Sequence, residues 1–455
     1  MIKRGLINNE NTIMRRKAKR ELLENENLQQ DFLKVQHHFF PDIFKMLNRV
    51  NDPRHPSYIE YSSKTILFLR ILSGLYSVKS MRKMTEEFNV KTCVENVSAI
   101  VGEELEELPY WETVNDYLKM LNPEELEKVT WDLVNRLIRM RSFEDNRIKG
   151  KYWQIIIDGT GWVSFDYRHC EHCLSRTYKN DDGNEGKTVY YHYVLEAKLV
   201  LANNIVVSIG TEFVENESED VEKQDCESRA FERLAEKLKK RFKRLPICIT
   251  GDSLYATKTV FNICAENNWE YIIRFKEGSI PTVAREFNSI KEFDESCSRK
   301  VERDGIIEKY SYVNNIDYGE YQLNAVEGIF EDNGEIKNFL FLTSFVITAK
   351  NHEMLLATGR NRWLIENQGF NTQKHHGFCI QHNFSHDYNA MKNHYYLIQI
   401  AHMISQLLEN GLKILKECKI SKEHFHKLLL RAFQTYMITE ADLEAARQQI
   451  HVAFI

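Results

Sequence analysis

The chain lacks several things that would settle its class at once. No apolar run approaches the roughly 18 residues of a membrane-spanning helix, so no membrane partner is expected. Residues 1–30 are polar and charged, without the apolar segment of a secretory leader. The nine cysteines are scattered rather than set in a secreted framework, so reduced thiols in a cytoplasm are expected. There is no excess of positive charge either: 61 Lys and Arg face 66 Asp and Glu, a net of −5. Net charge argues against binding nucleic acid through bulk charge, but leaves room for local basic surface.

What is present is ample. At 455 residues the chain exceeds one ordinary domain. Its 43% hydrophobic and 28% charged content is that of a globular protein. Basic runs stand at Arg15–Arg20 and from Lys237 to Arg244. The first reads either as an arm on DNA phosphates or as a solvated terminus. The second ends an amphipathic helix with Phe231, Leu234, Leu238 and Phe242 inward, where cations suit the helix C-terminus.

The texture divides the chain. Residues 1–150 read as a helical N-terminal domain, with Asn122-Pro123-Glu124-Glu125 as a helix start. Ser80–Met84 reads as the start of a helix, either DNA-contacting or simply solvated. From Lys151 the pattern is α/β: strand, polar excursion (Gly161 to Lys187), hairpin through Ala202-Asn203-Asn204, helix, strand, helix, strand. Residues 276–348 read as an inserted β-rich subdomain with a hairpin signal at Asp332-Asn333-Gly334. Helical pattern resumes from about 349, with Tyr396, Ile400, Met403 and Leu407 as a core stripe.

The chemistry gathers on acidic residues. Gln154-Ile155-Ile156-Ile157-Asp158-Gly159-Thr160 reads as a strand buried on both faces, ending in a carboxylate and a glycine that turns the chain. Pro246-Ile247-Cys248-Ile249-Thr250-Gly251-Asp252 repeats the design. Open α/β folds place ligands at such strand ends. A third acid, Glu366, lies in the helix-like Arg360-Asn361-Arg362-Trp363-Leu364-Ile365-Glu366-Asn367. Asp158, Asp252 and Glu366 together suit a pair of divalent cations, each taking oxygen ligands. The bland alternative is that Asp158 caps a turn. Arg362 and Glu366 are spaced i, i+4 on one helix face, which reads as a surface ion pair or as a phosphate contact beside the metals. Asn367 is a candidate to orient a ligand. Lys374 is a candidate phosphate contact, about 80° round an ideal helix from Glu366.

His169-Cys170-Glu171-His172-Cys173 carries a C-x-x-C of zinc type in Cys170 and Cys173. The cluster His375-His376-Gly377-Phe378-Cys379 with His382 is the candidate to complete it. The alternative is that the histidines line a cleft and the cysteines pack. Nothing pairs a cysteine with a base and an orienting carboxylate, so no catalytic cysteine is expected.

These motifs resemble those of bacterial insertion-sequence transposases of the DDE type. The likeness runs through Ile-Ile-Asp-Gly-Thr, Ile-Thr-Gly-Asp-Ser-Leu-Tyr and Arg-Trp-Leu-Ile-Glu-Asn-Gln-Gly-Phe-Asn-Thr-Gln-Lys, over roughly Lys151 to Leu408. It implies a ribonuclease H-like mixed sheet flanked by helices (151–275 and 349–410), interrupted by the β-rich insertion and followed by a C-terminal helical segment, 411–455. It implies Mg²⁺, with Mn²⁺ as substitute, held by Asp158, Asp252 and Glu366, and DNA contact by Arg362. It implies double-stranded DNA as partner, both terminal inverted repeats and target, bound by a homodimer in a nucleoid-associated cytoplasmic protein. The chain departs from the family's tyrosine-arginine-glutamate-lysine signature: Gly359 stands at the tyrosine and Gln373 at the lysine. The insertion also lacks a tryptophan on which to stack a flipped base. The alternatives are a DNA-binding regulator that has lost catalysis, and a nuclease without strand transfer.

Overall fold

The computed structural model describes residues 27–293, 298–303, 305–412 and 420–448. The basic run Arg15–Arg20 lies outside them. The chain divides into two compact units, Met1–Phe143 with Asn371–Ile455, and Glu144–Phe370. The first division falls between Phe143 and Glu144. The second differs from expectation: residues 371–410, read from sequence as part of the catalytic core, belong with the helical unit.

Among the described residues, the helical unit opens with α1 (Leu28–Phe39), α2 (Ile43–Asn48), α3 (Ser63–Leu75), α4 (Met81–Phe88), α5 (Lys91–Val101), α6 (Trp111–Met120) and α7 (Pro123–Ile138). The start of α7 follows from sequence. Asn122 Oδ1 accepts the Glu124 N–H at 3.0 Å, and Pro123 fills the first helical position, where no N–H is needed. On α4, Met81, Met84 and Phe88 are buried while Arg82 and Lys83 are exposed, an amphipathic helix with a solvated face.

The second unit is a mixed ten-stranded sheet with helices against it. Its elements are β1 (Trp153–Phe165), β2 (Leu174–Lys179), β3 (Glu185–Val200), β4 (Val206–Val214), α8 (Glu227–Arg241), β5 (Ile247–Gly251), α9 (Lys258–Asn267), β6 (Glu270–Arg274), α10 (Pro281–Phe293), β7 (Ser298–Arg303), β8 (Ile306–Tyr318), β9 (Tyr321–Asp332), β10 (Glu335–Thr343) and α11 (His352–Arg360). The strand order is β2-β3-β1-β5-β6-β10-β9-β8-β7, with β4 on β3. β1, β5 and β6 are parallel neighbours, and the helices α8 and α9 make the crossovers. Ile155, Ile156 and Ile157 are fully buried, as a central strand covered on both faces requires.

Two expectations change here. β1 does not end at Asp158; it continues to Phe165 because its antiparallel pairing with β3 outlasts its parallel pairing with β5. Much of the expected polar excursion is therefore strand, and β2 extends it. The 276–348 segment is rich in strands, but they continue the same sheet: β10 pairs with β6, and β9, β8 and β7 follow. That pairing covers an edge that β6 would otherwise expose. Asn333 and Gly334 make the two-residue β9–β10 turn, both at positive φ (49° and 85°), as a primed hairpin turn needs.

After α11 the chain makes a short π-helix, Ile365–Phe370. The helical unit then resumes with α12 (Asn371–His375), α13 (Tyr388–Gly411), α14 (Lys422–Thr435) and α15 (Glu440–Arg447). Tyr396, Ile400, Met403 and Leu407 are buried as expected. Yet α13 is buried almost all round, packed by α1, α3, α6 and α7. Its buried side chains include polar ones, which are met within the unit: Asn393 Nδ2 donates to the Leu118 and Leu121 carbonyls at 2.8 and 2.7 Å.

Candidate active site

The site forms where β1 and β5 run side by side. Their register pairs Ile155 with Ile249 and Ile156 with Thr250, so two residues on, Asp158 stands level with Asp252 just past the end of β5. Strand side chains alternate, so both carboxylates share the face of Ile156 and Thr250. Asp252 is fixed by its own chain: Oδ1 accepts the Leu254 N–H at 2.8 Å and starts a single 3₁₀ turn.

The third acid is carried over the same face. Leu364, Ile365 and Phe370 pack with Ile156, Val200 and Val206 in one buried cluster. A π-helix bonds i to i+5, which stacks Ile365 on Phe370; in an α-helix those residues would lie about 140° apart. The π geometry thus lets both anchor residues face the sheet. Glu366, next to the anchor Ile365, is exposed, as is Asn367.

Arg362 is not on a helix face with Glu366. It sits in the turn between α11 and the following helical segment, and its Nη1 donates to Asp158 Oδ2 at 3.2 Å. The sequence left open a surface pair with Glu366 or a phosphate contact; the contact the structure shows is with the first aspartate. Lys374 lies in α12, in the other compact unit.

The Asp158 carboxyl is pushed up to about 6. Burial is the largest cause; the Arg362 charge and the Gly159 N–H oppose it, and the charges of Asp252 and Glu227 add to it. Glu227 is a carboxylate that the sequence reading missed. It opens α8 and accepts from the Tyr193 hydroxyl, with the Tyr255 hydroxyl 3.4 Å away. Burial and this carboxylate raise both tyrosines. Gly159 is explained by the same group. A Cβ there would collide with Glu227 Oε1 and with Tyr193 Oη, so glycine permits close approach rather than a turn.

Among the described residues, Asp158, Asp252 and Glu366 do not bring one oxygen each within 4.8 Å of the others. A site for two ions about 3.5–4 Å apart does not demand that all its carboxylates touch one cation. The group that meets this spacing is Cys170, Cys173 and His192. The third member therefore comes from β3, not from the His375–His382 cluster expected from sequence. The Cys170 Sγ lies 3.6 Å from Cys173 Sγ and 3.6 Å from His192 Nε2, and Cys173 Sγ lies 3.8 Å from the same nitrogen.

A family model described as the transposase DDE domain matches residues 149–404, more than half of the chain. No curated protein matches the sequence.

Proposed function

The chain belongs to the transposase DDE domain family, and we propose that it is an active insertion-sequence transposase. It cuts the ends of its mobile element and joins the freed 3′-hydroxyl to target DNA. The observation that carries this reading is Asp158 on β1 level with Asp252 just past the end of the neighbouring parallel strand β5, the Asp158 carboxyl pushed up to about 6. Carboxylates crowded in this way favour a bound cation over bare negative charge. The donors are all oxygens, which suits Mg²⁺, with Mn²⁺ as substitute.

Asp158, Asp252 and Glu366 would hold the ions. When bound, the ions make a water or hydroxyl more acidic and neutralise charge at the phosphate undergoing in-line displacement. The chain's own residues position and neutralise. Arg362 balances Asp158 and offers further N–H donors to a DNA phosphate. Asn367 and Lys374 are further DNA contacts in this reading. The tyrosines Tyr193 and Tyr255 hold Glu227, whose charge acts on Asp158. The core is ribonuclease H-like, the ligand is double-stranded DNA at terminal inverted repeats and target, and a homodimer in the nucleoid brings two ends together.

The test uses the full chain with DNA carrying its element's ends. Asp158→Ala, Asp252→Ala and Glu366→Ala each abolish Mg²⁺-dependent strand cleavage and leave end-binding largely intact. Cleavage surviving all three removes the metal assignment. Wild-type protein that binds ends without nicking them is a regulator; nicking without joining of pre-nicked ends identifies a nuclease.

A further inference from the structure

The Cys170, Cys173 and His192 cluster lies apart from the acidic residues and is not used by the chemistry above. It is a built site. Cys173 and His192 are buried and Cys170 is half-buried. The Cys173 N–H bonds the Cys170 carbonyl at 3.3 Å, so the two thiols project from one tight turn. Asn216 holds that turn: its Nδ2 donates to the Cys173 carbonyl at 3.0 Å, and its N–H to the His172 carbonyl at 3.3 Å. His192 comes from β3, opposite Val163, next to a bulge in β1 at Gly161–Val163. Bulges re-aim side chains beside them.

The spacing is that of a coordination sphere. A tetrahedral zinc with bonds of about 2.3 Å to sulfur and about 2.0 Å to nitrogen sets its sulfurs about 3.8 Å apart and sulfur to nitrogen about 3.5 Å. The three distances here are 3.6, 3.6 and 3.8 Å. Ordinary packing does not require two sulfurs and an imidazole nitrogen to converge mutually at this distance. Two soft thiolates with one imidazole select zinc over the hard cations that the carboxylates suit. His172 is engaged elsewhere, its Nδ1 2.8 Å from the Asn216 carbonyl. A further imidazole, His169, stacks on Phe165 with its ring centroid 6.5 Å from that of His192.

We propose that Cys170, Cys173 and His192 bind one zinc ion, which clips the β1–β2 connection to β3. The clip fixes the outer part of the β1–β3 ribbon, whose inner part carries Asp158. The fourth position belongs to water or to the His169 ring.

The experiment takes the full chain, purified without a metal-binding tag from zinc-supplemented medium. Elemental analysis is expected to give about one zinc per chain, resistant to dialysis against millimolar Mg²⁺. Exchange with Co²⁺ is expected to give the intense near-ultraviolet thiolate band and visible bands of a tetrahedral cobalt site. Cys170→Ser, the half-buried member, is expected to lose at least nine-tenths of the zinc, whereas Asp158→Asn keeps it. Histidine 169 is tested by His169→Asn: retention of metal with altered cobalt bands places its ring on the ion, and unaltered bands place water there, either outcome keeping the three-residue site. Wild-type protein with no stoichiometric zinc and no thiolate band on adding Co²⁺ overturns the proposal, as does a Cys170–Cys173 disulfide found in protein purified under reducing conditions. Because the wild-type measurements do not depend on any variant folding, misfolding of Cys170→Ser does not obscure the result.

Discussion

Arg362 Nη1 stands 3.2 Å from Asp158 Oδ2, a contact between residues 204 positions apart in the chain. The positive guanidinium acts on this carboxyl against burial and two negative neighbours. Replacing Arg362 with Ala removes that opposition. The Asp158 titration, read by carbon NMR of labelled carboxyl groups in metal-free protein, should then move above its value of about 6. A downward move would mean that the arginine does not face the carboxylate in solution.

The raised carboxyl also makes a statement about stability. The folded value, about 6, exceeds the ordinary 3.8. The folded state therefore binds the proton more tightly, and this contribution is present below about pH 4 and lost as pH rises through about 6. Two pH units correspond to a ceiling of about 3 kcal/mol, reduced here because the side chain keeps some solvent contact. Asp158→Asn, neutral at every pH, should raise the thermal midpoint of metal-free protein at pH 7 and flatten its dependence between pH 4 and 7. Added Mg²⁺ should stabilise wild type at pH 7 and have little effect on the variant.

The strand that carries this aspartate was legible in sequence, but its length was not. Three β-branched residues before Asp158 signal a buried strand, and the same argument finds Asp252. Gly159, however, reads from sequence as the residue that turns the chain, and the other possibility is a strand residue under a close neighbour. The structure decides for the latter because β3 keeps pairing with β1 beyond Asp158. Glu227 was hidden for a different reason. It closes an acid-rich stretch from Glu215 onward, and no local spacing separates it from Glu217, Glu219 or Glu222. His192 likewise sits in a strand of tyrosines and apolar residues, 19 positions from Cys173. Pairings across strands, not spacing along the chain, bring such residues to a site. The π-helix was illegible too, since Ile365 and Phe370 share a face only when the bonding pattern is i to i+5.

Gly159 offers a direct check on the missed carboxylate. Gly159→Ala places a methyl group against Glu227 Oε1 and 2.5 Å from Tyr193 Oη. Overpacking of this kind costs about 1–3 kcal/mol. Glu227→Ala removes one of the colliding groups, so the double variant should lose less stability than the two single losses added together. A coupling of at least about 0.5 kcal/mol in a double-mutant cycle, measured by denaturant unfolding, is expected. Strict additivity would separate the two positions.

The sheet face beneath the π-helix holds a buried ion pair that should be intolerant of half-removal. Glu196, the cross-strand partner of Asp158, and Lys198 are both fully buried, with Lys198 Nζ 3.2 Å from Glu196 Oε2. Ser208 and Thr211 also donate to the Glu196 carboxylate. Lys198 Cε lies 3.8 Å from the position a Cβ on Gly369 would take, so the lysine also supports the segment that carries Glu366. Burial lowers the lysine while the Glu196 charge opposes that shift. Lys198→Met keeps the aliphatic stem and strands a carboxylate in the interior, which should cost about 3–5 kcal/mol. Adding Glu196→Gln removes the stranded charge and leaves an amide whose oxygen still accepts from one of the Ser208 and Thr211 hydroxyls while its NH2 donates to the other. The double variant should therefore recover most of the loss, read as the unfolding midpoint in urea. If Lys198→Met alone left the midpoint unchanged, the glutamate would have to be neutral in the folded protein and the pair would carry no net charge attraction.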